Sequence, residues 1–400
     1  MTTTTTPRPV PGSEPHADGG WGQNAAPFVP VQTRSQRPRS YTPSDFGKPT
    51  GREVNWKHTP LTQLAPLLDD AAGDEGAVSV SVTGPVAGAG LAIGTAPRGE
   101  VFVPEDLPAA IAWARAAEAL YIAVPADAEY DEPILVEFTG GGADLLAHAH
   151  VVVEAGVNSR ATVVLRHSGA ARFAQNVEII VRDGAKLDVV SVQGWDDTAV
   201  HAASHQARVE RDAFLRHTVV TFGGGVVRVD PSVELAGAGA QGELYGVSFA
   251  DAPQHLESQV FLHHKGPHTR GEVLYKSALQ GVGARTVWIG DVLIGADAVG
   301  TDSYEANRNL VLTEGARADS IPNLEIETGD IAGAGHASAT GRFDDEQLFY
   351  LQARGIPEDE ARRLVVVGFL AEIVQKIGIP SLEAELFELI EAELAEGEGE

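Results

Sequence analysis

Thirteen histidines and no cysteine set the chemistry open to this 400-residue chain. Without thiolates it can form no disulfide, hold no iron–sulfur cluster alone, and build no Cys-type zinc site. Imidazole is its best remaining donor to a soft metal. Three placements stand out. His148 and His150 alternate in "HAH", a spacing that puts both rings on one face of a strand. His263, His264 and His268 fall within "HHKGPH". His336 stands alone among small residues in "GDIAGAGHASATGRFDDEQLFYLQARGI", just before the chain turns amphipathic. A zinc site needs three or four ligands in fixed geometry, and neither cluster supplies an evident set. A metal-binding enzyme and ordinary hydrogen-bonded or surface histidines are both open readings of them.

Other chemistries find less support. There is no GxxxxGK[ST], no GxGxxG opening a helix, no HExxH and no GxSxG, so phosphate-cradling, dinucleotide, metalloprotease and serine-hydrolase signatures are absent. The glycines of "FGGGVVRVD" precede a strand and read as a tight turn. Arg228 and Asp230 alternate on a strand, but no acidic ladder repeats. With aromatics at 6% there is also little to build a polysaccharide platform.

A net charge of −27 repels nucleic acid and anionic membranes. The first thirty residues lack the apolar core of a signal peptide, and no run of eighteen apolar residues appears. The expected location is the cytoplasm.

The elements that must position these residues follow from patterning. Residues 1–40, rich in Thr, Pro, Gly and Ser, read as a disordered tail. Residues 41–120 read as a small α-rich region, with helical spacing at Leu61, Leu64, Leu67 and Leu68 and a helix in "PEDLPAAIAWARAAEAL" capped by Asp106. Across 121–342 short β-branched runs alternate with Gly, Asp and Asn turns. The starts at Glu154, Arg182 and Glu210 lie about 28 residues apart. That period favours a parallel β-solenoid, whose coils bury their inner faces only by stacking; a β-sandwich or jelly roll is the alternative. Residues 343–400 are helical. Asp344 or Asp345 caps "DDEQLFYLQARG", Pro357 opens the next helix, Gly378 stops it, and "SLEAELFELIEAELAEG" carries Leu382, Leu386, Phe387, Leu389, Ile390 and Leu394 mostly on one face. That face packs on its own domain or on a partner.

The stretch from Thr301 to Val374 resembles the SufB/SufD family of iron–sulfur cluster assembly proteins, and within it the SufD branch. The carrying motifs are N-x-N-L (Asn307, Asn309, Leu310), P-x-L-E-I (Pro322, Leu324, Glu325, Ile326), the small-residue stretch around His336, D-x-x-x-L-F-Y-L-x-x-R-G-I (Asp344 to Ile356) and A-x-x-L (Ala361, Leu364). "HKGPHTRGEVLYKSAL" and "TGREVNWKHTPL" add to it. The resemblance implies a mainly β fold: a right-handed parallel β-helix core flanked by N-terminal and C-terminal α-helical regions. It implies a scaffold subunit of a SufBCD complex rather than an enzyme, paired with a SufB paralogue and docked to the ATPase SufC through the C-terminal helical region. Leu348, Phe349, Tyr350, Arg354 and Phe369 are the candidate SufC contacts. No cofactor is expected on the isolated chain; a nascent iron–sulfur cluster is expected to be shared with SufB. His336 matches the family histidine at that junction and is the candidate transient iron ligand, with Glu325 and Asp330 as weaker oxygen donors. Some relatives carry Cys near this His, whereas this chain reads "AGAGH", so any thiolate must come from SufB. Against these expectations stand the metal-binding solenoid enzyme, the architectural homodimer, and a His336 that only hydrogen-bonds across a junction.

Overall fold

The computed structural model describes residues 34, 37–85, 92–95, 98–116, 118–343 and 345–396. Its centre is a parallel β-solenoid of about 8 turns. Two long strands, β4 (Ile134–Ala155) and β5 (Arg160–Val181), open it, after β1 (Val78–Thr83), β2 (Ala92–Thr95) and β3 (Leu120–Val124). Strands then alternate between two walls. One wall holds β6 (Lys186–Trp195), β8 (Phe214–Thr221), β10 (Gln241–Ala250), β12 (Arg270–Leu279), β14 (Thr301–Val311) and β16 (Ile331–Arg342). The other holds β7 (Val200–Val209), β9 (Val226–Leu235), β11 (His255–His264), β13 (Arg285–Ile294) and β15 (Arg317–Ile326).

Alternation explains the walls. Every second residue points inward, and the inward set includes Val189, Leu215, Leu244, Val273, Val229 and Leu262. The period is fixed at one corner, where a left-handed residue recurs in each coil: Asn158, Gly184, Asp212, Gly239, His268 and Gly300, all with φ between 55° and 70°, or 72° at Gly239. Each donates its N–H to a carbonyl of the next coil: Asp183, Arg211, Ala238, Pro267, Val299 and Asp330 in turn. Asn, Asp, His and Gly are the residues that tolerate this conformation best.

The two ends of the solenoid differ. The first coil is covered, because β4 pairs with β1 along one half and with β3 along the other. The last coil is not: β15 and β16 are each hydrogen-bonded on one side only.

Helices close the outer faces. Helices α4 (Glu358–Val374) and α5 (Pro380–Glu396) follow α3 (Asp345–Gln352) and lay Val366, Leu370, Ile373, Leu382, Leu386 and Ile390 on the outer side of the even-numbered wall, against Val220, Tyr245, Phe249 and Leu274. The apolar face of the C-terminal helix is therefore covered by its own chain. Asp344 and Gly397 lie outside the described residues.

Among the described residues between 41 and 120, helix is confined to α1 (Leu61–Leu64), α2 (Leu107–Arg115) and short 3-10 turns, and β1 and β2 lie there too. The region has no core of its own. Trp56, Leu64, Leu67 and Ile111 pack on Ala174, Ala202 and Val226 of the odd-numbered wall. Asp106 caps α2, accepting from Ala109 N at 3.0 Å. The tail up to residue 33 lies outside the described residues, but Arg34, within the span read as disordered, is buried and donates to the Gln259 carbonyl.

A buried cation pins this strap. Arg228 is 2% exposed; it donates to Asp230 Oδ2 at 2.9 and 2.8 Å and to Asn55 O at 3.1 Å, and its guanidinium lies 3.8 Å from the Trp56 ring centroid. Glu257 sits 3.7 Å away and accepts from Thr59. Burial works against the charge of Glu257, yet Arg228 and His255 hold its carboxyl down to about 2. Removing the cation strands several buried acids, a change that costs about 3–5 kcal/mol. Arg228→Met is therefore expected to lower unfolding free energy by about that amount and to speed proteolysis within residues 41–75. An unchanged denaturation midpoint would show that the strap is held by its apolar contacts alone.

Candidate functional site

His336 lies on β16, in the uncovered last coil, with its side chain 46% exposed. Its neighbours Gly333 and Gly335 keep the strand bare. A Cβ on Gly335 would come 3.3 Å from the Tyr304 ring of β14. In register, His336 pairs with Glu305, which pairs with Val273, Leu244 and so on down the inner face of the even-numbered wall. His336 therefore continues an inward-facing column at the point where the tube opens.

Glu305 is the residue that sequence reading passed over. Its side chain is 1% exposed, and neither carboxylate oxygen has a hydrogen-bond partner. Its Oε1 lies 3.7 Å from His336 Nδ1. Burial, and then the charge of Asp291, push its carboxyl up to about 8. Space for it comes from Gly290 on the facing wall, where a Cβ would lie 2.5 Å from Glu305 Oε2 and 2.2 Å from the Trp288 ring. The one signal in the sequence is "EANRN": acid and amide at alternate positions (305, 307, 309) inside a strand whose counterparts in earlier coils are mostly apolar or small.

A second inward column is polar over its whole length. His167, Gln193, Thr221, Ser248, Ser277, Asn309 and Thr340 stack in register. Ser248 Oγ donates to Ser277 Oγ at 2.8 Å, and Asn309 Nδ2 to Thr340 Oγ1 at 3.1 Å. Burial drives His167 and His217 down to about 4, so the interior imidazoles are neutral at pH 7.

The oxygen donors expected beside His336 lie elsewhere. Glu325 follows inward-facing Leu324 and so points to the outside of the odd-numbered wall. Asp330 is exposed, and its carbonyl accepts from Gly300 N at the corner. No hydrogen bond or ion pair joins either to His336. The two histidine clusters are also dispersed. His148 makes a 3.1 Å contact to Ala71 O, while His150 is buried 3.3 Å from Glu178 and edge-on to Trp113. His264 points inward, within 2.9 Å of Thr269 Oγ1 and 3.0 Å of Ser303 Oγ, whereas His268 is the left-handed corner residue. Among the described residues no three His, Asp or Glu side chains converge as a metal site.

The C-terminal candidates divide in the same way. Leu348 is buried, and Phe369 is half-buried against the solenoid, its carbonyl accepting from Lys276 Nζ at 2.8 Å. Phe349 and Tyr350 are exposed (71% and 54%), with the Arg354 guanidinium 4.0 Å from the Tyr350 ring centroid.

The raised Glu305 carboxyl has a stability consequence. With an ordinary value of 4.5 when unfolded and about 8 when folded, the group binds its proton more tightly in the fold. Its contribution is intact below pH 4.5 and is lost as pH rises towards 8. Glu305→Gln should therefore match the wild type near pH 4.5 and exceed it by about 2–4 kcal/mol at pH 8, measured by denaturant unfolding across pH. A gap that does not change with pH would place this carboxyl in water.

Comparison with known proteins accords with this architecture. The family profile described as "SUF system FeS cluster assembly, SufBD core domain" matches residues 138–369, from β4 to α4. The chain is 47% identical over 366 residues to the iron-sulfur cluster assembly SufBD family protein Rv1462 of Mycobacterium tuberculosis, covering 89% of this chain and 91% of that one. It is 45% identical over 364 residues to the corresponding family protein ML0594 of Mycobacterium leprae, covering 89% and 93%. A second M. tuberculosis family protein, Rv1461, is 31% identical over 218 residues, covering 54% of this chain and 25% of that one. The chain belongs to the SufBD family of iron–sulfur cluster assembly proteins.

Proposed function

We propose that this chain is a non-catalytic, SufD-type scaffold subunit, working in the cytoplasm, that pairs through its open last coil with a SufB-type paralogue and docks a SufC-type ATPase through its C-terminal helical region. The observation that carries the reading is His336: a half-exposed imidazole on an edge strand paired on one side only, where a second chain can reach it. Edge strands with free N–H and C=O groups are templates for pairing, and β15 and β16 end the solenoid with such edges. That M. tuberculosis has two SufBD family proteins, each similar to this chain, supports a paralogous partner.

With no thiol of its own, the chain takes part in sulfur chemistry by lending an imidazole while the partner supplies thiolates to the nascent cluster, which is cargo rather than a resident cofactor. Neutral imidazole is a good iron donor. Phe349, Tyr350 and Arg354 are the accessible part of the ATPase-docking surface, since Leu348 and Phe369 are occupied with their own chain.

Co-expression with the paralogue and the ATPase tests the reading. The three are expected to copurify, while the chain alone shows no ATP turnover. His336→Ala should leave the complex intact and lower its iron and sulfide content after anaerobic reconstitution several-fold; unchanged content would return His336 to a hydrogen-bonding role. Phe349→Ala with Tyr350→Ala should leave the melting temperature within about 1 °C, as exposed substitutions usually do, and lose the ATPase before the paralogue. Retention of the ATPase by that variant, or stoichiometric zinc or iron held by the isolated chain through purification, would contradict the assignment. A stable homodimer that excludes the paralogue would favour the architectural alternative.

A further inference from the structure

We propose that Glu305 is a second iron-binding residue of this chain, forming with His336 a two-donor seat for a ferrous ion at the open end of the solenoid, which a partner's ligands complete. The proposal rests on the reading of His336 as an iron donor and extends it to a residue that carried no role above.

Four observations carry it. First, the two residues are direct register partners on adjacent strands, both continuing the same inward-facing column, with Nδ1 and Oε1 3.7 Å apart. Two metal–donor bonds of ~2.1 Å meeting at the tetrahedral angle place their donor atoms ~3.4 Å apart. A rotamer adjustment of a few tenths of an ångström closes that difference. Second, the carboxyl is buried and both its oxygens are without a hydrogen-bond donor. Buried carboxylates are normally paired or hydrogen-bonded; this one forms no ion pair with Lys or Arg among the described residues. Third, the charge that bears on its carboxyl is that of another acid, Asp291, a repulsion that a bound cation would offset. Fourth, the room is provided: a side chain at Gly290 would occupy the space of the Glu305 carboxyl.

The donor set also selects the cargo. One imidazole nitrogen and one carboxylate oxygen suit a divalent first-row ion better than a sulfide-rich cluster. The seat therefore holds iron as the free ion, with His336 facing the partner and Glu305 behind it, and its outward positions remain open for thiolate or sulfide.

The test uses the full-length chain and Co(II), a spectroscopic stand-in for ferrous iron, under anaerobic conditions. Binding is followed by ligand-field absorption and by the ring 15N signals of His336 in histidine-labelled protein. Co(II) at concentrations up to 1 mM is expected to shift or broaden the His336 signals. Glu305→Gln, which keeps size and fold, should weaken the apparent affinity at least tenfold, and Glu305→Asp, which keeps the charge at shorter reach, should fall between the two. The proposal is overturned if Glu305→Gln binds within twofold of the wild type, or if Co(II) leaves the His336 signals unmoved. Failure here is separable from failure of the wider reading. If His336→Ala empties the reconstituted complex while Glu305→Gln does not, the scaffold role stands and the Glu305 seat falls.

Discussion

A parallel solenoid satisfies its backbone only between coils, so every such fold must deal with the N–H and C=O groups of its first and last turns. This protein treats its two ends differently. The first coil is covered by β1 and β3, one antiparallel and one parallel. The last ends in β15 and β16 with one side of each unbonded. The functional reading grows from that asymmetry. The same edge exposes His336, ends the inward columns, and leaves the mouth of the tube open.

The second constraint is the handling of buried charge. On the outer odd-numbered wall, Arg228 gathers Asp230, Glu257 and Asp106 and ties them to the N-terminal strap, so its charges are mutually compensated. At the mouth, Glu305 has no such compensation. The contrast is informative because both lie on well-packed strands of one solenoid. A fold that surrounds Glu257 with the Arg228 guanidinium, the Thr59 hydroxyl and the Gln259 side-chain amide leaves Glu305 with none of these, at the position that faces His336 in the open coil. Stability arguments account for the first; the second is the position to which the proposed iron seat gives a role.

Much of this was legible in the sequence because it is written in local pattern. The coil period shows in the recurrence of acid or Gly turns, and the corner column of Asn158, Asp212 and Gly300 is the physical cause of that recurrence. Asp106 and the helices after Pro357 carry ordinary start and stop signals, and their apolar stripes match the faces they bury. What pattern does not encode is which coil lies at an end. Glu305 looks like any strand acid until its register partner and its empty surroundings are known. "HHKGPH" looks like a ligand cluster until His268 is seen to be a left-handed corner and His264 an inward hydrogen-bonding residue. Glu325 was expected, with the family resemblance, as a weaker oxygen donor beside His336, and strand alternation turns it outward. Leucine spacing near Leu61 and Leu64 likewise suggested a helical region, whereas those side chains serve a strap whose core belongs to the solenoid.

The account makes the last coil the meeting place with a second subunit, and amide hydrogen exchange reads that directly. Compared with the isolated chain, the chain copurified with its paralogue should show slowed exchange concentrated in β15 and β16, residues 317–342, with β1 and β3 unchanged. Protection confined to the covered first coil or to the outer walls, with β15 and β16 exchanging as fast as in the isolated chain, would contradict it.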